Sequence, residues 1–409
     1  MQSGWRVGSL FGIPLFVDPS WFFVLVLIAI PRGFLWQSTY PEWGLVTPFV
    51  AGGLMALLLF ASVLLHELGH SLVARAQGIK VSSITLFLFG GIASIDQESK
   101  TPGKAFQVAV AGPAVSIGLF LLLSLVALVI PGATSPAGVL TRNLAFINLV
   151  LALFNLIPGL PLDGGQILKA AVWKATGSRF QGIHWAARMG KLLGWFAIIV
   201  GAAVFLIQGD YSGLWIAFLG YFGVQNANNY ERMTDLQETL LKINAGDAMT
   251  REFRVVDADI TLRQFADNYL INALQPAVFY AASDGRYRGL VSADDLHDVE
   301  RSEWETQNLY RIIHPLSQIP AVQEDSPLVE VIQLLEAKEL RRITVLSPAG
   351  AVGGVIDRGD IVRVLAERMN MPISEAMVKQ IKQDGAYPPG FNIVTIAQQA
   401  AESAQPVNR

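Results

Sequence analysis

Long, nearly uninterrupted apolar runs fill the first half of this chain, and a mixed, charged pattern fills the second. A transmembrane helix needs about 20 mostly apolar residues. Six stretches approach that length: residues 14–35, 48–74, 106–130, 137–157, 186–208 and 211–228. Arg142, Asn143 and Asn148 interrupt the fourth, and the sixth is short. One such run also suits a buried helix of a soluble protein, but six in succession read as an α-helical polytopic membrane domain over residues 1–228. Between the second and third runs, Ile79 to Ile95 is too short to cross as a helix. It is rich in β-branched and aromatic residues and contains Gly90-Gly91. This segment reads as a short re-entrant β element, because backbone at membrane depth is tolerated only where it is paired or buried.

Composition supports this division. Of the 409 residues, 52% are hydrophobic and 15% charged, whereas a typical soluble domain is about 25% charged. A net charge of -3 is small and argues neither for a nucleic-acid partner nor for an acidic tail. The absence of cysteine excludes a cysteine nucleophile, thiolate ligands and disulfides, so any metal must be held by His, Asp or Glu. Residues Met1 to Pro14 show no charged stretch followed by a small-residue cleavage site, so no removable leader is expected.

Basic residues give a direction. Arg75, Lys80, Lys100 and Lys104 follow the second run, and Lys169, Lys174, Arg179, Arg188 and Lys191 follow the fourth. The other loops offer only Arg32 and Arg142. Positive loops stay inside, so both termini are expected in the cytoplasm of a multi-pass protein of a bacterial-type cell membrane.

The second run ends in His66-Glu67-Leu68-Gly69-His70. Histidines four apart share one helical face and can hold one zinc ion. Glu67 is then placed as general base, since zinc lowers the pKa of a water it holds to about 7. Ionisable groups directly after an apolar stretch are costly there and are functional by default. A third ligand is needed, and Asp163 is the best candidate. It lies in Asn155-Leu-Ile-Pro-Gly-Leu-Pro-Leu-Asp-Gly-Gly, where Pro158 and Pro161 end the fourth run and Gly164-Gly165 permit close backbone approach. The second and fourth runs point the same way, so both motifs reach the same membrane face. Asp163 is equally suited to start the Gln166–Thr176 helix. Asn148 and Asn155 share a stripe of the fourth helix. Interhelical hydrogen bonding suits both, and Asn155, nearest the break, is a candidate oxyanion donor.

HELGH, the Gly90-Gly91 region, Ala111-Gly112-Pro113 and NLIPGLPLDGG together resemble the site-2 protease family of intramembrane zinc proteases. The resemblance covers residues 1–228. It implies one zinc per chain on His66, His70 and Asp163, Glu67 as base and Asn155 as an active-site polar group. It also implies single-span membrane substrates, such as anti-sigma factors or membrane-tethered transcription regulators, cleaved among membrane lipids. In the family a substrate helix unwinds before cleavage, and the strand near Leu86–Gly91 offers an edge for the unwound segment.

Residues 229–243 read as a linker, and 244–305 and 306–369 as two copies of a strand–helix–strand–strand–helix unit. This α/β pair resembles tandem cystathionine-β-synthase (CBS) domains, which often bind adenine nucleotides and can dimerise. In nucleotide-binding copies a Ser or Thr contacts phosphate and an Asp three residues on contacts ribose. Ser292 and Asp295 fit, whereas the second copy pairs Asp357 with Asp360, and Asp357 would repel phosphate. A purely structural or dimerising pair is the alternative. Residues 370–409 read as a polar tail with a short helix and no evident chemistry. A CBS-gated transporter is the competing reading for the whole chain, but it would need polar groups spread along several spans.

Overall fold

The computed structural model describes residues 4–88, 90–270, 278–388 and 392–404. The described residues divide into two units, one up to Thr234 and the other from Asp235 onward.

The first unit opens with a hairpin, β1 (Trp5–Leu10) and β2 (Ile13–Val17), followed by helices α1 (Ser20–Thr39) and α2 (Thr47–Ala76). Strands β3 (Val81–Phe87) and β4 (Gly90–Ile95) come next, then α3 (Pro102–Val129), α4 (Pro136–Asn155), α5 (Asp163–Thr176), α6 (Arg179–Gln208) and α7 (Ser212–Lys242). Among the described residues, α1, α2, α3, α4 and α6 are long and apolar enough to cross a membrane.

The first expected span therefore begins later than its hydropathy implied. Residues 13–17 are a strand, and α1 starts beyond Asp18, whose carboxylate accepts from the Ser20 N–H at 2.9 Å. Hydropathy is blind to this distinction, because a buried strand is as apolar as a helix end. The sixth expected span is the first half of α7. Apolar residues run to Val224, and Gln225, Asn226, Asn228 and Asn229 then turn the helix polar, so it falls short of a spanning stretch. The residues read as a linker continue this helix to Lys242.

Helix α2 is 30 residues long, about 45 Å at 1.5 Å per residue, and its last turns carry the HELGH motif. Against that end packs a sheet of order β1-β2-β3-β4. Ile13, Leu68, Ala74, Val81 and Ile84 form its buried contact with α2. Strands β2 and β3 are parallel, pairing Leu15 with Ile84, while β3 and β4 are antiparallel. Strand β3 thus has neighbours on both sides. The free edge expected near Leu86–Gly91 lies on β4, and Phe89 falls outside the described residues.

The second unit begins with α8 (Ala245–Ala248), β5 (Phe253–Asp257), α9 (Leu262–Phe265), β6 (Val278–Ser283), β7 (Arg286–Val291) and β8 (Ile313–Pro315). Strand β9 (Ala321–Gln323), α10 (Leu328–Ala337), β10 (Arg342–Leu346), β11 (Val352–Asp357) and α11 (Arg358–Arg368) repeat the pattern. In each copy the first strand pairs parallel with the second, and the second antiparallel with the third. The start of the expected first-copy strand, Ala277, lies outside the described residues. Tyr280 and Thr344, from equivalent strands, share a buried hydrogen bond of 2.7 Å. The expectation for the tail needs correction. It forms α12 (Glu375–Asp384) and α13 (Ile393–Ala404), with Ile381, Ile393, Ile396, Ala397 and Ala400 in the core of the second copy. The 393-396-397-400 spacing is a helical apolar stripe, which a reading by overall polarity overlooks.

Helices α6 and α7 meet through small residues. A Cβ at Gly201 would fall 2.4 Å from the Gly213 carbonyl oxygen, so only glycine permits this approach. Gly201→Val should destabilise the detergent-solubilised protein by about 1–3 kcal/mol. Gly223→Ala, with open space around it, is the control. Thermal unfolding of both variants measures the difference.

Candidate metal centre

His66 and His70 point from the same side of α2, and Asp163 meets them from the first residue of α5. His66 Nε2 lies 3.0 Å from Asp163 Oδ2, His70 Nε2 lies 3.3 Å from the same oxygen, and the two Nε2 atoms are 3.3 Å apart. The structure thus brings HELGH and PLDGG together. Close packing at the glycines supports it, since a Cβ at Gly164 would fall 2.3 Å from the Leu156 carbonyl oxygen. The start of α5 is thereby pressed onto the loop that follows α4.

The outer ring nitrogens fix how the imidazoles face. His70 Nδ1 is 2.7 Å from the Val108 carbonyl oxygen, which can only accept, so Nδ1 carries the proton and Nε2 offers a lone pair. His66 Nδ1 is 2.9 Å from the hydroxyl of Ser116, which has no exposed surface. Two ring nitrogens and a carboxylate oxygen therefore converge within hydrogen-bonding distance of one another. A donor set of this kind fits one divalent cation in a three-ligand, open-position arrangement.

Space for it comes from α3. A Cβ added at Gly112 would lie 2.2 Å from His70 Nε2 and 2.6 Å from His66 Nε2. The sequence had marked Ala111-Gly112-Pro113 without a role for its glycine, and had not marked Ser116. The signal was present, for Gly112 and Ser116 are four apart and so lie on one face of α3.

Glu67 sits beside this group, against β4. A Cβ at Gly91 would fall 2.5 Å from Glu67 Cγ. Glu67, His70 and Asp163 line one cavity of about 340 Å³, whose walls include Ile79, Ala93 and Ile95. Asn155 is not brought to it. Its amide donates to the Leu151 carbonyl at 3.0 Å within its own helix, and it is not among the lining residues. Asn148 is fully buried and donates to Ser62 Oγ at 3.0 Å, tying α4 to α2 one turn before His66.

Peptidase family M50 matches this chain over residues 54–142 and 134–197. A Synechocystis protein named as a candidate zinc metalloprotease, sll0528, is 42% identical over 366 residues, which cover 89% of this chain and 96% of that protein. The chain belongs to peptidase family M50. Rip3 of Mycobacterium tuberculosis, named likewise, is 32% identical over 89% of this chain and 93% of its own length. The solved site-2 protease of Methanocaldococcus jannaschii is 28% identical and covers 56% of this chain and 95% of its own, with a TM-score of 0.40. The M50 chain also carries a CBS domain, matched over residues 312–367. It is a member of a peptidase family whose curated relatives are named as zinc metalloproteases, with a CBS domain following its long apolar helices in the sequence.

The CBS residues singled out by sequence are already engaged. Asp295 accepts from the Ser292 N–H at 3.2 Å and lies 2.8 Å from His314 Nε2. Asp360 has no exposed surface. Lys382, from α12, stands 2.8 Å from its Oδ1, and Thr250 Oγ1 is 3.4 Å from its Oδ2. Burial and the neighbouring Asp357 push the Asp360 carboxyl up to about 6 even with that lysine beside it. In this arrangement Asp360 presents no surface to a ribose, because Lys382 from the tail helix α12 covers its carboxylate.

If the metal is held as its geometry indicates, His66→Ala should abolish zinc binding. Gly112→Ala should lower zinc content several-fold while leaving the helical circular dichroism intact. Elemental analysis of the purified variants reads both outcomes, and full occupancy in Gly112→Ala would show that the space beside the imidazoles is not needed.

Proposed function

We propose that this M50 protein is an intramembrane zinc endopeptidase that hydrolyses peptide bonds in or near transmembrane segments of membrane-tethered regulatory proteins. Anti-sigma factors and membrane-tethered transcription regulators are the substrate class. The observation that carries the reading is the meeting of His66, His70 and Asp163 beside Glu67, with Glu67, His70 and Asp163 lining one cavity bordered by an edge strand and apolar helices.

His66, His70 and Asp163 would hold the zinc ion, which supplies Lewis acidity when bound. Glu67 takes a proton from the attacking water as its oxygen adds to the scissile carbonyl. The proton is then delivered to the departing amide nitrogen as the C–N bond breaks. Strand β4 supports presentation of the substrate. A helical segment keeps its carbonyls in its own hydrogen bonds, whereas an unwound one can pair with the free edge of β4 next to Glu67. The basic residues after the second and fourth spans support a cytoplasmic placement of the loops there and, with the short apolar half of α7 counted as a sixth crossing, of both termini; the CBS pair would then act as a regulatory module on that side. Adenine nucleotide is the ligand class to test there, through Ser292 and Asp295.

Glu67→Gln should keep about one zinc per chain yet lose cleavage of a single-span substrate by a factor on the order of 10² to 10⁴. Near-normal turnover in that variant would remove Glu67 from the chemistry. For the regulatory module, calorimetry with ATP and AMP should show binding that weakens in Asp295→Ala. The same heat in both proteins, or none in either at millimolar ligand, would eliminate the nucleotide assignment.

A further inference from the structure

The loop between β4 and α3 carries Glu98, which crosses to the opposite wall of the cavity. Its Oε2 stands 3.0 Å from Lys169 Nζ on α5 and 2.8 Å from the Arg179 guanidinium at the start of α6. Lys169 keeps only 6% of its surface exposed. A buried ammonium is costly unless a carboxylate faces it, so these two elements are committed to meeting here. Packing around Glu98 raises its pKa, but Lys169 and Arg179 outweigh that effect and hold the carboxyl near 2. About half of the side chain, 53%, remains open, and water screens part of the attraction.

The pair joins the two walls that bear the reacting groups. Asp163, Gln166 and Lys169 follow one another along the cavity on α5. Strand β4, whose Gly91 lies against Glu67, leads almost directly into Glu98. Glu98 and Lys169 line the same cavity as Glu67, His70 and Asp163. Their contact therefore bridges the strand beside the base and the helix that supplies the third metal donor.

We propose that Glu98 and Lys169 are positioning residues of the peptide-cleaving site, their ion pair fixing the width of the cleft between β4 and α5. The inference rests on the proteolytic reading above and assigns neither residue a place in the chemistry. A substrate strand beside β4 must fit within that width, and a misplacement of about 1 Å can cost on the order of 100-fold in rate.

The test uses the full-length, zinc-loaded protein and a single-span substrate. Glu98→Gln and Lys169→Met remove one charge at nearly constant volume, and Lys169→Arg restores it. All three should keep wild-type zinc content. The first two should lose on the order of 10- to 100-fold in kcat/KM, mainly through KM, and Lys169→Arg should recover most of that loss. Because the chain has no native cysteine, spin labels at Lys100→Cys and Lys174→Cys can report the wall-to-wall distance. A narrow distribution that broadens with Glu98→Gln supports the clamp. Unchanged kinetics, an unchanged distribution, or zinc lost in parallel with activity would overturn it. If the wild type cleaves nothing, the proteolytic reading fails on its own, and the label distances still judge the clamp.

Discussion

Three lone pairs pointed at one another cannot be left alone inside an apolar bundle. His66 and His70 bring two nitrogens, and Asp163 brings an oxygen, all within 3.3 Å. A cation held among them would relieve their mutual repulsion, and the surrounding structure leaves room for one. Helix α2 must continue well past its apolar centre to present both imidazoles. Helix α5 must start flush against the loop after α4, and α3 must offer a residue without a side chain at Gly112. Ser116 and the Val108 carbonyl orient the rings from behind. Each requirement is local and inexpensive by itself. Together they leave little freedom in the relative placement of α2, α3 and α5.

Much of this was legible in the sequence, because the signals are strong physical contrasts. Histidines at helical spacing directly after an apolar run stand out, and so does an aspartate in a proline- and glycine-rich break. The direction of the spans then brought Asp163 to His66 before any coordinates did. What was missed lies where hydropathy has no resolution. Residues 13–17 are as apolar as the helix they precede, so their pairing with β3 across the intervening helices left no mark on the profile. Asn155 shows another limit of a motif, since its amide donates to the Leu151 carbonyl within its own helix, a bond that spacing does not report.

The C-terminal unit teaches a related lesson. Overall polarity suggested a loose tail, but the apolar stripe of α13 and Lys382 of α12 give it a defined seat. Lys382 stands against Asp360 and Glu252, at 2.8 and 2.7 Å. Asp357, the carboxylate that made the second copy look unsuited to phosphate, also lies 3.9 Å from this lysine. A motif read alone reports the residue types, and the third dimension reports who has already reached them.

The parallel pairing of β2 with β3 has a consequence for biogenesis. Leu15 finds Ile84 only after the two intervening helices, α1 and α2, have been made and placed, because a parallel connection has to travel out and return. The N-terminal hairpin leaves the ribosome first yet completes the sheet late, after a long loop has been closed. Asp163 is synthesised later still. A nascent chain therefore carries its histidines before it has either a finished strand edge or a third donor. Such an order of synthesis leaves the cluster of His66, His70 and Asp163 incomplete until α5 has been made.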